Sequence, residues 1–306
     1  MTELSSPPRT RVIHNPTVLT LRIVEEIERQ RKSGALQQIT IPPCPAKLIQ
    51  LQAALRADEP DLNTVAQIAT SDVAMAATLL RNANCALYAG DQPVQTVGGA
   101  MNRLGLDLTA NLLVEVVLRQ SIKVEHPRLK GFWEMAALRA AAMHHLARQL
   151  PGVTPELAQL YGLFCHVGIP VLLQRMPGYS GTMVEAGARR DRSYVETENA
   201  NHRTDHAVVG AIVARTWRLP TDAAVAIRLH HDFSCLDGGT FSQDVRNLVA
   251  IGLIAEHLVQ RHEQAPESRE WQKHGEACLA FLQVDASEVE LWEDQLHPAL
   301  AAVTLN

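Results

Sequence analysis

The sequence predicts an all-α protein, and three observations carry that reading. Ala and Leu abound while aromatic residues make up 4% of the 306, a balance that suits helix-on-helix packing better than strands. Apolar residues recur at helical spacing along most of the chain. Period-two alternation is almost absent.

The opening segment 1–16, MTELSSPPRTRVIHNP, is polar, carries three prolines and is expected to be a disordered lead-in. From Thr17 to Lys32, Leu19, Ile23, Ile27 and partly Val24 share one helical face, and Ser33-Gly34 ends it. The ITIPPCP stretch at 39–45 reads as a stiff extended connector, because each proline disfavours helix in the residue before it. Leu48, Leu51 and Leu55 then form the stripe of the next helix. Asp61 stands before LNTVAQIAT, and Ser71-Asp72 before VAMAATLLRNAN, each a short acceptor ahead of a periodic run. Further helices are expected at about 94–103, 107–120, 131–149, 155–174, 205–217, 221–230, 243–262, 267–282 and 286–293. Pro127, in the polar break KVEHPRLKG, marks a lobe boundary. Segments 232–242 and 263–270 read as a Gly-rich loop and a polar linker, and no repeat of fixed period occurs.

Composition narrows the function classes. Lys and Arg number 28 against 33 Asp and Glu, a net charge of −5, so no global basic field draws the chain to nucleic acid or anionic lipid. The RQRK run at 29–32 lies beside Glu25, Glu26 and Glu28 and reads as a solvated helix face. Five cysteines without a C-x-x-C pair imply reduced thiols. With no leader-type apolar segment and no uninterrupted apolar run of about 18 residues, a cytoplasmic protein without membrane contact is expected. Phosphate loops and nucleophile elbows are missing, and the glycines of GGAMNRLG at 98–105 are wrongly spaced for dinucleotide binding.

Thirteen histidines include His144-His145, His206 and His230-His231, and Cys165-His166 interrupts the apolar run LFCHVGIPVLL. Metal centres need such donors to converge, yet neighbours on a helix point about 100° apart, so only one of each pair faces a given site easily. Taken singly, each pair is better explained as surface or hydrogen-bonded core histidine. A Cys165–His166 nucleophilic pair lacks an orienting acid, and a buried, inert thiol is the expectation.

The ordered series IPPCPA, Ser71-Asp72, LLRNANCALY, Pro93 with Val97, and Leu104-Gly105-Leu106 resembles the first half of HDOD domains, the HD-related output domains of bacterial signalling proteins. YGLFCHVGIPVLL and DHAVVGAIVARTWRLPTDAAVAIRLHHD resemble the second half. The resemblance implies an N-terminal extension with one helix at 1–37, an HDOD domain at 38–236 and a C-terminal helical extension at 237–306. Within the domain it implies a helical lobe at about 38–125 packed on an HD-like lobe at about 126–236.

It also implies which positions carried metal in the related HD phosphohydrolases. Met135 stands where their first His belongs, Cys165 and His166 fill the His-Asp dyad, and the later acid falls near Ala255 or Glu256. His206, His230 and His231 match ligand positions of HD-GYP phosphodiesterases, but the Gly-Tyr-Pro signature is missing. A di-metal hydrolase needs a bridging carboxylate, and a thioether suits neither Fe, Mn nor Mg. The expectation is therefore a relic centre with no metal, no cofactor and no catalysis, in a regulator that works through unidentified signalling proteins. Two alternatives stand beside it: nucleotide sensing in the old cleft, and a residual metal-dependent phosphohydrolase using Cys165, His166, His206 and His230 or His231 with Zn. Asn82, Asn84 and Tyr88, at the end of LLRNANCALYAGDQP, are the candidate interaction surface where the lobes meet, with simple closure of the turn as the plain alternative.

Overall fold

Short acceptor side chains open the helices where the sequence places them. Asp61 accepts from the amides of Asn63 and Thr64 to start α4 (Leu62–Thr70), and Asp72 accepts from Ala74 and Met75 to start α5 (Val73–Asn84). The computed structural model describes residues 18–32, 34–37, 39–56, 60–85, 90, 92–238 and 241–304. The lead-in 1–16 lies outside them. Among the described residues every regular element is helical, as the sequence predicts.

The N-terminal lobe comprises α3 (Ala46–Arg56), α4, α5, α6 (Val97–Leu104) and α7 (Leu106–Ser121). Its core holds Leu48, Leu51, Val65, Met75, Leu79 and Leu113. A 3-10 turn at Pro127–Leu129 and a left-handed Gly131 then separate it from α8 (Phe132–Gln149). The HD-like lobe continues with α9 (Pro155–Phe164), α10 (Gly168–Arg175), α11 (Tyr179–Ala188), α12 (Tyr194–His202), α13 (His206–Thr216) and α14 (Thr221–Leu229).

The lobes are pinned by Trp217, which is fully buried at the end of α13. Its indole N–H donates to the carbonyl of Pro42 at 2.9 Å, and its own carbonyl accepts from Gln52 at 2.9 Å. The proline connector is thus held against the HD-like lobe by hydrogen bonds its own backbone cannot make internally. A second seam joins α7 to α9, where the Asn111 amide donates to Gln159 Oε1 at 2.9 Å.

Both extensions belong to this core. α1 (Val18–Arg31), followed by the single turn α2 (Gly34–Gln37), packs on α13 and α14, with Ile27 buried and Glu26 paired to Arg228 at 2.7 Å. At the other end, α15 (Gln243–His262) is buried along most of its length against α8, α14 and α16 (Arg269–Leu282). α17 (Ala286–Thr304) crosses α8.

Three expectations are corrected. The helix foreseen over 155–174 is two helices with a turn at 165–167, because Gly168 and Pro170 start a new helix. α11 and α12, which the sequence reading leaves as connection, are regular; α12 is a polar helix whose buried face carries Thr197 and Glu198 rather than a hydrophobic stripe. α17 runs past 293 and through Pro298, held by buried Leu296 and Leu300. By length and composition the described stretch 155–175 is long and apolar enough to cross a membrane, with mean hydropathy 1.4 in its most apolar window, yet 67% of that window is buried in the protein. Val167 and Leu172 are fully buried within it.

Candidate functional site

The turn after α9 places His166 outside any helix, and a close backbone approach places it beside α13. A Cβ on Gly168 would lie 2.0 Å from the carbonyl oxygen of His206 and 2.8 Å from the amide nitrogen of Gly210. Only glycine fits there. On the other side, Asp205 caps α13 through the Val208 amide, so His206 enters as its first residue and is buried. α14 ends at Leu229; His230 is its C-cap residue and His231 lies in the turn beyond. The 100° separation expected of helical neighbours therefore does not apply to His230 and His231, whose ring centroids lie 3.9 Å apart. The helix stops where both can face one point.

Four imidazoles converge. His206 Nε2 is 3.3 Å from His166 Nδ1, 3.2 Å from His230 Nε2 and 3.0 Å from His231 Nε2. One nitrogen from each of the four lies within 4.8 Å of all the others. Each ring also holds an oxygen with its outer nitrogen: His166 Nε2 meets Glu256 at 2.6 Å, and His206 Nδ1 meets Glu198 at 2.7 Å. His230 Nδ1 meets the Ile227 carbonyl at 2.7 Å, and His231 Nδ1 meets Glu270 at 2.5 Å. Carboxylates and carbonyls only accept, so the outer nitrogens donate and the inner nitrogens of the neutral rings present lone pairs to one another.

The electrostatics support neutral rings at two positions. Burial, then Arg139 and the other imidazoles, hold His166 well below the usual range, and burial with its His neighbours does the same for His230. Burial also opposes charge on His231, but Glu270 outweighs it and raises that ring. Burial opposes charge on Glu198 too, yet His206 and the Tyr179 hydroxyl hold its carboxyl below the ordinary value. Glu256 is shared between His166 and Arg139, whose Nε lies 3.2 Å away.

Other sequence-derived positions fall outside the cluster. Met135 is half-buried on α8, one turn before Arg139, and packs on the core. Cys165 is buried, as expected, its Sγ facing the Gly162 carbonyl at 3.7 Å, and burial pushes its thiol up to about 12; it groups with His166 and Glu256 rather than with the other three imidazoles. His145 turns to Gln295 at 3.1 Å. Of the two late acid positions, Glu256 faces the site while Ala255 is buried in the core. Glu198, Glu270 and Arg139 escape the sequence reading. Ser193-x-x-Glu196, a complete capping box in the structure, is the one signal that would have revealed the helix bearing Glu198.

The candidate interaction surface resolves differently. Asn84 donates to the Val94 carbonyl at 2.8 Å and accepts its amide at 2.7 Å, and Arg103 donates to the carbonyls of Ala83 and Gln92. Asn82 donates back to Thr78 at 2.9 Å. These are turn-closing bonds within the N-terminal lobe. Because α5 packs chiefly on α4, α6 and α7, the main junction between lobes lies instead at Trp217 and along α7–α9. Tyr88 lies outside the described residues.

Comparison with known proteins agrees with this architecture. The model of the HDOD domain matches residues 41–233. An uncharacterised protein of Treponema pallidum (strain Nichols) is 26% identical over 194 residues, which cover 63% of this chain and 38% of that protein. A crystal structure from Marinobacter aquaeolei VT8, provisionally named a signal transduction protein, superposes with TM-score 0.71 at 21% identity, over 92% of this chain and 65% of that one. An HDOD domain protein of unknown function from Geobacter sulfurreducens gives TM-score 0.69 at 18% identity, covering 92% and 99%. A Shewanella amazonensis SB2B protein, provisionally named a phosphohydrolase, gives 0.67 at 19%, covering 94% and 97%. The chain thus spans less than two thirds of the Treponema and Marinobacter proteins. At these identities the structural likeness is one of fold.

Proposed function

Because the chain belongs to the HDOD domain family, we propose that it is a cytoplasmic signal-transduction protein that acts through protein contacts and does not hydrolyse phosphoesters. The observation that carries the reading is the orientation of the carboxylates. A dinuclear hydrolase needs an acid oxygen between two cations to hold them and to generate hydroxide. Here Glu198, Glu256 and Glu270 all bind the outer faces of imidazoles, and the bridging position of the HD centre is taken by His166. The half-buried Met135 contributes a thioether where that centre has its first imidazole. This donor set does not fit a two-metal hydrolase.

Contact with partners is supported by apolar side chains that the fold leaves uncovered on the N-terminal lobe. Ile49, Leu62 and Val73 are exposed, Val73 at 87%. The test is hydrolysis of aryl phosphate mono- and diesters and of cyclic dinucleotides, with Mn, Mg, Fe or Zn supplied, run beside cross-linking capture of interacting proteins. No turnover above that of His206→Ala is expected. Turnover by the natural protein that disappears in His206→Ala overturns the proposal.

A further inference from the structure

Inner nitrogens that face one another at 3.0–3.3 Å, in rings whose outer nitrogens are already committed as donors, need either shared protons or a metal cation between them. We infer that His166, His206, His230 and His231 form a closed, mononuclear site for a tetrahedral transition-metal ion of the zinc type. This departs from the expectation of a relic centre without metal, which rested on Met135 and His166 standing where a dinuclear centre needs an imidazole and a bridging carboxylate.

Geometry favours a metal over chance clustering. Zn–N bonds of about 2.0–2.1 Å around a tetrahedron put neighbouring nitrogens about 3.3–3.4 Å apart, and the three observed separations fall within about 0.4 Å of that edge. Imidazole suits Zn, Cu, Fe and Ni, and four of them without carboxylate or water ligands select against Mg, Ca and Mn. The outer partners complete the pattern, since ligating histidines characteristically give their second N–H to a carboxylate or carbonyl. Here all four do. Charge agrees as well: neutral donors leave a dication uncompensated, and three carboxylates stand one imidazole away. Four protein donors leave no open coordination position, so the site is structural or sensory and stands independently of the assignment to signalling.

The test uses the whole 306-residue chain without a histidine tag, purified in the absence of chelators. Elemental analysis should find about one equivalent of a first-row metal per chain, and Co(II) exchanged into the site should give the intense visible bands of tetrahedral coordination. His206→Ala and His231→Ala should each abolish stoichiometric binding while His145→Ala retains it. Should His206→Ala fail to fold, His231→Ala carries the comparison, because its ring lies at the edge of the site and circular dichroism reports whether helicity survives. Glu270→Gln should keep the fold and weaken the metal about 10–100-fold in chelator competition, the usual effect of losing such an orienting partner. Wild-type protein that takes up no more Zn(II) or Co(II) than His231→Ala, or a Co(II) spectrum of octahedral type, overturns the inference and leaves a protonated imidazole cluster in its place.

Discussion

Replacing Gly168 with alanine tests the packing that creates the site. The added methyl would sit 2.0 Å from the His206 carbonyl oxygen, whereas ordinary contact begins near 3.4 Å. Relief requires α10 to move from α13 by about 1.4 Å, because the obstacle is backbone and has no rotamer to adopt. Overpacking of this kind typically costs about 1–3 kcal/mol, and an unyielding partner places Gly168→Ala at the upper end, about 3 kcal/mol. With a urea dependence near 3 kcal/mol/M for a chain of this size, the midpoint should fall by about 1 M. The same displacement carries His166 away from His206, so loss of stability should be accompanied by loss of the cluster. Gly181→Ala is the internal control: nothing beyond its own stretch of α11 lies within 4 Å of its Cβ position, and the change should be neutral or stabilising by about 0.5–1 kcal/mol. Midpoints for Gly168→Ala and Gly181→Ala that agree within about 0.2 M would refute the claim that helix contact at Gly168 sets the position of His166.

Three further outcomes are expected. Leu172→Ala should cost about 2–5 kcal/mol by denaturant midpoint, because the side chain is fully buried in α10. Asp72 is held down to about 2, first by its bond to Lys47 and further by Gln120 and the α5 amides. A depressed folded-state value means stability that is present above the unfolded value near 3.8 and is lost as pH falls through about 2. Asp72→Asn should therefore cost about 1 kcal/mol at neutral pH after solvent screening, and the gap to wild type should close between about pH 4 and pH 2 in parallel urea titrations. Asn84→Ala removes both bonds to Val94 and should cost about 1–2 kcal/mol; capture of a partner that weakens while the melting point stays put would restore the interaction role for this segment.

Legibility followed the physics of each feature. Helices with an apolar stripe or an acidic cap, such as α4, α5, α8 and α15, could be read directly, because burial and capping leave periodic or punctuating residues. α12 could not: its buried face is Thr197 and Glu198, and polar burial has no periodic signature. The four histidines were all identifiable from composition and from the resemblance, yet their convergence was not. It depends on α14 stopping at Leu229 and on the Gly168–His206 approach, and neither is a property of the local sequence. Reasoning from helical angles separated His230 from His231 because it assumed a helix that the chain ends one residue earlier. The last helix, expected to stop near 293, runs on through Pro298 because buried Leu296 and Leu300 outweigh a local breaker.

The placement of the carboxylates bears on what counts as the functional unit. The matched family segment ends at residue 233, but Glu256 lies on α15 and Glu270 on α16. Two of the three acids that orient the imidazoles therefore come from beyond it. A boundary at 236 follows the resemblance along the chain, whereas the charge balance and the core do not stop there: Leu248, Ile251, Ile254 and Leu258 are buried beside α8 and α14. Without the C-terminal helices, His166 and His231 lose the acceptors of their outer N–H groups, and nothing then fixes which nitrogen of either ring faces inward.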